Sequence, residues 1–248
     1  MNPLDYNFAH SIAVFAANAR GGEVFESREL LLTNSKSPFA EFNQCFIKRP
    51  GYKLQRACDK AQAHFAGTGV PFRLQFSAEF PEAARELERR GFVAAPAVPG
   101  MALEPARLVA PEVPGLRVRQ VDDAAGLQHY QRVTFESFGY PVELAALAHT
   151  EDLLALPHVA LFVGYLDEQP VCSSALLVTA NLAGIYWVGT LASARKRGLG
   201  AAITAHAART GFARGCTAAC LQASAMGAPV YRRMGFTTER EYLRYDGR

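Results

Sequence analysis

Arg195-Lys196-Arg197-Gly198-Leu199-Gly200 decides how the rest of this chain is read. It opens an Ala-rich stretch through residue 213 in which Leu199, Ala202, Ile203 and His206 recur on one helical face, as a helix packed on a sheet requires. Gly198 and Gly200 take side chains away from the first turn of that helix. Backbone N–H groups there have no intrahelical acceptor, so an anion can approach them closely. The helix dipole adds partial positive charge at this end, and Arg195, Lys196 and Arg197 add full charges. Taken alone, the run reads equally as a solvated helix start. It is not a P-loop, because no Gly-Lys-Ser/Thr is present, and it lacks the third glycine and ribose-binding acid of a dinucleotide site.

Downstream, the strand-like run Ala218-Ala219-Cys220-Leu221-Gln222-Ala223-Ser224 leads to Tyr231-Arg232-Arg233-Met234-Gly235-Phe236. This order sets a phenol beside a strand end. By itself Tyr231 also reads as a packed aromatic of a short helix. Upstream, residues 171–194 carry no charge, a length that could span a bilayer. Asn181-Leu182-Ala183-Gly184 is a turn signal in its middle, with β-branched and aromatic residues alternating on both sides, so two adjacent strands are expected instead.

The same signals set the remaining elements. Strands are expected at 116–121, 159–166, 172–179, 185–191, 218–224 and 236–245. Helices are expected from Asp122-Asp123 through Val133, over 142–156 up to Pro157, over 198–213, and briefly up to Met234. The strands first form a meander and then alternate with helices, which predicts a mixed α/β (α+β) sheet. Residues 93–114 carry Pro96, Pro99, Pro105, Pro111 and Pro114 and read as a linker around a short strand at Met101-Ala102-Leu103. A weak repeat flanks it. Leu74-Gln75-Phe76-Ser77-Ala78 leads to Arg89-Arg90-Gly91-Phe92 as Leu221-Gln222-Ala223-Ser224-Ala225 leads to Arg232-Arg233-Met234-Gly235-Phe236, which suggests two copies of one α/β unit.

With 248 residues, half of them hydrophobic, the chain can bury the core of one large or two small domains. A net charge of +3 suits an anionic ligand and is too mild for a nucleic-acid or membrane-surface binder. Five cysteines without a CxxC argue against a disulfide framework or a zinc site and for reduced, buried thiols. The modest apolar run Ile12-Ala13-Val14-Phe15-Ala16-Ala17 follows Asp5 rather than a basic segment, so no signal peptide is expected. These readings point to a soluble, cytoplasmic protein.

In this order, the two motifs make residues 115–248 resemble the GNAT superfamily of acetyl-CoA-dependent N-acetyltransferases. The superfamily signature Arg/Gln-x-x-Gly-x-Gly/Ala is met by Arg195, Gly198 and Gly200. Its later element, Asn-x-x-Ala-x-x-x-Tyr-x-x-x-Gly-Phe, reads here from Ser224 to Phe236, with Tyr231, Gly235 and Phe236 in place and Ser224 and Gly227 replacing the Asn and Ala.

The resemblance implies the GNAT acyl-CoA N-acyltransferase fold in two tandem copies: a degenerate domain at 1–112, where Leu87 takes the tyrosine position, and a catalytic domain at 113–248. It implies acetyl-CoA as acyl donor and no metal. Arg195, Lys196, Arg197, Gly198, Leu199 and Gly200 would hold the diphosphate, and Ser224 a further part of the cofactor. The backbone of Val188 and Thr190 would pair with pantetheine, and Gly189 would help a bulge that splays this strand from the next. Tyr231 would protonate the leaving thiolate. The implied acceptor is the primary amine of a small molecule. Transfer to a peptide or protein lysine, or a non-catalytic acetyl-CoA sensor, are the alternatives. Phe135, Phe138, Tyr140 and Trp187 are candidate walls for the acceptor, with aromatic core as their default. Glu136, His149 and His158 read as surface or packing residues, and no base is named. A second copy in cis would cover the sheet surface that single-domain relatives bury in a dimer, so a monomer is favoured.

Overall fold

The structure, a computed structural model, describes residues 1–48, 54–79 and 81–247. In chain order its elements are α1 (Pro3–Ala17), β1 (Glu23–Glu26), β2 (Leu30–Asn34), β3 (Asn43–Ile47), α2 (Leu54–Ala66), β4 (Phe72–Ser77), α3 (Pro81–Arg89), β5 (Val93–Leu103), β6 (Arg117–Gln120), α4 (Ala124–Phe138), α5 (Ala145–Ala148), β7 (Val159–Leu166), β8 (Gln169–Thr179), β9 (Leu182–Thr190), α6 (Leu199–Ala213), β10 (Ala218–Gln222), α7 (Ala228–Arg233) and β11 (Thr237–Gly247). They form two compact units, Met1–Gly100 with Thr238–Arg248, and Met101–Thr237. Each has the mixed α/β sheet expected.

In the first unit the strand order is β1-β2-β3-β4-β11-β5. β3 and β4 run parallel across the α2 crossover, while β11 is antiparallel to β4, with Leu243 opposite Phe76. The alternation of β2 to β4 sends Leu30, Leu32, Cys45, Ile47, Leu74 and Phe76 into one core with α2 and α3. Leu31, Phe46 and Tyr242 meet Ile12 of α1 on the other face.

In the second unit β6, β7, β8 and β9 form the antiparallel meander, and β10 then joins β9 in parallel after α6. Both tight turns of the meander are two-residue turns of left-handed residues: Asp167 and Glu168 (φ 49° and 60°) join β7 to β8, and Ala180 and Asn181 (φ 51° and 59°) join β8 to β9. That geometry matches the twist of the flanking strands. Asp123 caps α4 by accepting the Gly126 N–H at 2.6 Å, and Gly139 at φ 77° ends it.

Three expectations change. The Pro-rich 93–103 segment is a continuous strand, not a linker around a short one. Its first five residues are largely exposed, which is where a strand tolerates the missing N–H of Pro96, and burial begins at Val98. The helix expected over 142–156 is three separate turns, Val142–Leu144, α5 and Glu151–Ala155. His149 and Thr150 leave helical backbone between them (φ/ψ −124°/86° and −85°/171°). The face of α6 that meets the core is wider than the pattern implied: Ala201, Thr204, Ala205, Ala207, Ala208 and Gly211 are buried with Leu199 and Ile203, while Ala202 and His206 are half-buried. All five cysteines are free and buried. Among the described residues no helix is long and apolar enough to cross a membrane, and no group of three or more His, Cys, Asp or Glu could hold a metal ion.

Candidate functional site

β9 and β10 start as paired parallel strands and then part. Their registered pairs run from Leu182↔Ala218 to Gly184↔Cys220, while β9 continues to Thr190. The backbone of β9 beyond Gly184 therefore has no β10 partner. On its other side, the β8–β9 register shifts between Ser173 and Ala175, opposite Trp187 and Val188. Trp187 sits at φ 52°, a left-handed conformation that is uncommon for a bulky side chain. The irregularity is thus centred on Trp187 rather than on Gly189. Gly189 is required for another reason: a Cβ there would lie 2.9 Å from the Ser137 Cβ, because the end of α4 presses on β9 at that point. Val188 is half-buried against the core, and the Thr190 carbonyl accepts the Arg195 Nε–H at 3.2 Å.

Arg195 Nη2 also donates to the Ser137 carbonyl, at 3.1 Å, so one guanidinium ties the end of β9 to the end of α4. Lys196 turns the chain at φ 64°, and Gly198 caps α6 from φ 77° without a side-chain acceptor for the helix N–H groups. The amides of Leu199 and Gly200 point out of the first turn as any α-helix start does. Arg195, Lys196 and Arg197 are exposed, and none pairs with a carboxylate among the described residues. Gly200 backs onto Thr190, whose Oγ1 would lie 3.5 Å from an added Cβ. An exposed cationic loop, bare amides and an open strand edge form a donor set suited to a nucleotide diphosphate with an amide-bearing tail.

The Thr204 hydroxyl, one turn into α6, donates to the Gly200 carbonyl at 2.7 Å and is also hydrogen-bonded to the Tyr231 phenol. Burial pushes the Tyr231 phenol up to about 12, and Thr204 acts in the opposite direction. One Thr204 proton serves both partners in turn. With a neutral phenol it goes to Gly200 and the phenol donates to Thr204; an ionised phenol draws it across. The Tyr231 ring lies on Gly227, where a Cβ would meet its Cε2 at 2.9 Å. Ser224 accepts the Gly227 N–H at 3.1 Å with its own Oγ, which starts α7, and its O–H stays available to donate. Sequence reasoning missed Thr204, Ser137 and the reason for Gly227. Position 204, five after Leu199 on a packed helix, gave no polar signal.

The other side of β9 is aromatic. Trp187 packs edge-on to His149 at 4.8 Å and to Phe138 at 5.6 Å, and parallel to Phe135 at 6.5 Å. Phe135, Tyr130 and His149 are core, so His149 is a packing residue. Glu136 is exposed, and His158 half-buried at the strand start. Burial among these rings pushes His149 down to about 3. The imidazole stays neutral in the folded protein while an unfolded chain binds a proton below its ordinary value of about 6.5. Stability contributed by the neutral ring is present above that value and is lost as pH falls from 6.5 towards 3, at about 1.4 kcal/mol per pH unit. His149→Phe should remove this limb: wild type loses about 2–3 kcal/mol more than the variant between pH 7 and 4.5 in urea unfolding. Equal losses would show that His149 does not carry the acid sensitivity.

The acetyltransferase (GNAT) family model matches residues 127–236, which contain the parted strand, the loop and Tyr231. This is a GNAT fold. A solved GCN5-related N-acetyltransferase from Kribbella flavida is similar with TM-score 0.75 and 21% identity, over 99% of this chain and 96% of that one. A GCN5-related N-acetyltransferase from Sphaerobacter thermophilus gives 0.64 and 20%, over 91% and 75%. A tandem GNAT protein from the clavulanic acid biosynthesis pathway gives 0.63 and 10%, over 98% and 94%. At such identities the likeness is one of fold. No curated protein sequence matches the chain. The family match over residues 127–236 supports an acyltransferase.

Proposed function

We propose that this protein is an N-acetyltransferase that moves the acetyl group of acetyl-CoA to the primary amine of a small molecule. The observation that carries this reading is the placement of Gly200 beside Thr190 and of Thr204 between the Gly200 carbonyl and Tyr231, which sets an open strand edge and bare helix amides next to a half-buried, protonated phenol. Acetyl-CoA bound there supplies a thioester as acyl donor. The Leu199 and Gly200 amides with Arg195, Lys196 and Arg197 hold its diphosphate, the β9 backbone at Val188 and Thr190 receives the amide-bearing tail, and Ser224 offers one further donor. The transfer forms a bond from the amine nitrogen to the acyl carbon and breaks the carbon–sulfur bond. Tyr231 Oη gives its proton to the departing sulfur, and the amine nitrogen releases one to solvent. The decisive measurement is titration calorimetry of the folded protein with coenzyme A. Saturable heat supports the reading, and no heat at millimolar coenzyme overturns it. Coenzyme binding without release of free thiol across a panel of amines would favour a sensor.

Gly227 adds a finer test. Its backbone, at φ −79° and ψ −36°, accepts any residue, so Gly227→Ala adds no backbone strain. The added methyl must push the Tyr231 ring aside, and small misplacements of a reacting group are costly, so kcat is expected to fall roughly 3- to 10-fold. In a Tyr231→Phe background the same change should have no further effect on kcat. An unchanged kcat in the single variant would mean that the ring position does not matter.

The first unit is read as a degenerate second copy. α3 and α7 end alike: Gly91 and Gly235 have φ 81° and 100°, their N–H groups donate to Glu88 and Arg232, and the next N–H, of Phe92 and Phe236, donates to Leu87 and Tyr231. Leu87 is fully buried at the position of the phenol, so this copy has no equivalent acid. A chain carrying its own second copy is expected to work as a monomer in the cytoplasm.

A further inference from the structure

We infer that the acceptor is a primary amine carried on an aromatic body, seated on Phe138, Tyr140 and Trp187; this rests on the reading of β9 and α6 as the acyl-donor site. A left-handed Trp costs about 1–3 kcal/mol of backbone strain, and such strain persists where the surroundings or the function demand it. What it achieves here is to turn the indole off the strand and onto α4. The ring cluster around it has two layers. Phe135 and His149 are buried, while Phe138 is 47% exposed and Tyr140 and Trp187 are half-buried. The outer rings are ordered against one another: Phe138 stacks on Tyr140 (6.4 Å, 12°) and stands edge-on to Trp187.

This outer layer borders the reacting end of β9. Ser137, the residue before Phe138, presses on Gly189 and is bound through its carbonyl to Arg195. An amine lying on these rings therefore reaches the strand between the Trp187 irregularity and the cationic loop.

Charge points the same way. Residues 133–194 contain no Lys or Arg, and Glu136, Glu143, Glu151 and Asp152 are exposed around α4 and α5. Apart from Arg132, exposed one turn before Glu136 on α4, the charges around the acceptor side are carboxylates, while the acyl-donor side carries three cations. An amine arrives mostly as its ammonium, which such a surface attracts and aromatic faces stabilise. Phe138 offers no polar atom, and Tyr140 and Trp187 offer one each. A polyhydroxylated amino sugar would leave most of its hydroxyls without partners on this surface, whereas an aryl group buries against it.

Trp187 is the single tryptophan, so its emission reports on the proposed seat directly. Protein saturated with coenzyme A is titrated with 2-phenylethylamine, with glucosamine and with a short lysine peptide, and the free-thiol assay is run with acetyl-CoA on the same three. The expected result is a saturable change in Trp187 emission with 2-phenylethylamine and a kcat/KM at least about tenfold above the other two amines. Phe138→Ala should raise the KM for 2-phenylethylamine about tenfold and leave the calorimetric affinity for coenzyme A unchanged. Coenzyme binding with an equal or greater response to glucosamine or the peptide, or with no response to any amine, overturns the aromatic seat alone. So does a Phe138→Ala variant whose KM is that of wild type. Absence of coenzyme binding overturns this inference and the reading it rests on together.

Discussion

Tyr231→Phe is expected to lower kcat by about 10²-fold or more while leaving coenzyme A affinity within about twofold, because the ring keeps its packing and only the proton is lost. The size of the effect follows from what burial does to this phenol. Held at about 12, Tyr231 keeps its proton at every working pH, so the acid is always loaded. The same burial makes it a weak acid. Passing a proton to an alkyl thiolate whose conjugate acid has a pKa of about 8.5 is uphill by roughly 3.5 units, or about 5 kcal/mol. Thr204 already keeps this cost from being larger, since its hydroxyl can leave the Gly200 carbonyl and donate to the phenolate as it forms. Thr204→Val should therefore lower kcat about tenfold with Tyr231 present and have no further effect in Tyr231→Phe. Initial rates with saturating acetyl-CoA, together with calorimetry on the same variants, check both. A Tyr231→Phe enzyme with wild-type kcat would remove the phenol from the chemistry.

Local chemistry made much of the second unit legible. β7, β8 and β9 are uncharged, largely apolar runs buried along most of their length, and the short polar or small residues between them sit where two left-handed residues are needed. The glycines at 198, 235 and 91 mark places where the backbone is left-handed, and each was visible as a motif. What stayed hidden depends on partners distant in the chain. The bend at Trp187 is set by α4 and its rings, not by any residue of β9 that favours positive φ. The Pro-rich stretch becomes β5 because its later residues are buried and the Pro96 carbonyl accepts Arg244 at 2.7 Å. The pairing of β11 with β4 is equally non-local. Thr204 looks like any helix residue until Tyr231 is brought over it.

Gly235→Ala and Gly91→Ala occupy the same backbone position in the two units, yet their expected costs differ by more than 2 kcal/mol. Both glycines are left-handed, so an alanine at either one pays about 1–2 kcal/mol for that conformation. At Gly91 the new methyl meets nothing within 4 Å, and the conformational term is the whole cost. At Gly235 it would lie 2.2 Å from the Arg107 carbonyl oxygen and 3.1 Å from Leu103 Cδ1. The Arg107 carbonyl cannot swing away easily, because the following turn is pinned on both sides: Leu108 N–H donates to Pro105 and Val109 N–H donates to Met234 at 3.0 Å. Relief must come from moving the 105–109 segment off the end of α7, which breaks that bond and uncovers Met234 and Phe236, both buried in the second unit's core. A total near 4 kcal/mol is expected for Gly235→Ala against about 1 kcal/mol for Gly91→Ala, read from urea unfolding of the two variants side by side. Because Phe236 N–H holds the Tyr231 carbonyl at 3.0 Å, the Gly235 variant should also lose activity below its unfolding midpoint, whereas the Gly91 variant should not. Equal destabilisation by the two substitutions would mean that the left-handed backbone, and not the approach of Arg107, is what requires glycine at 235.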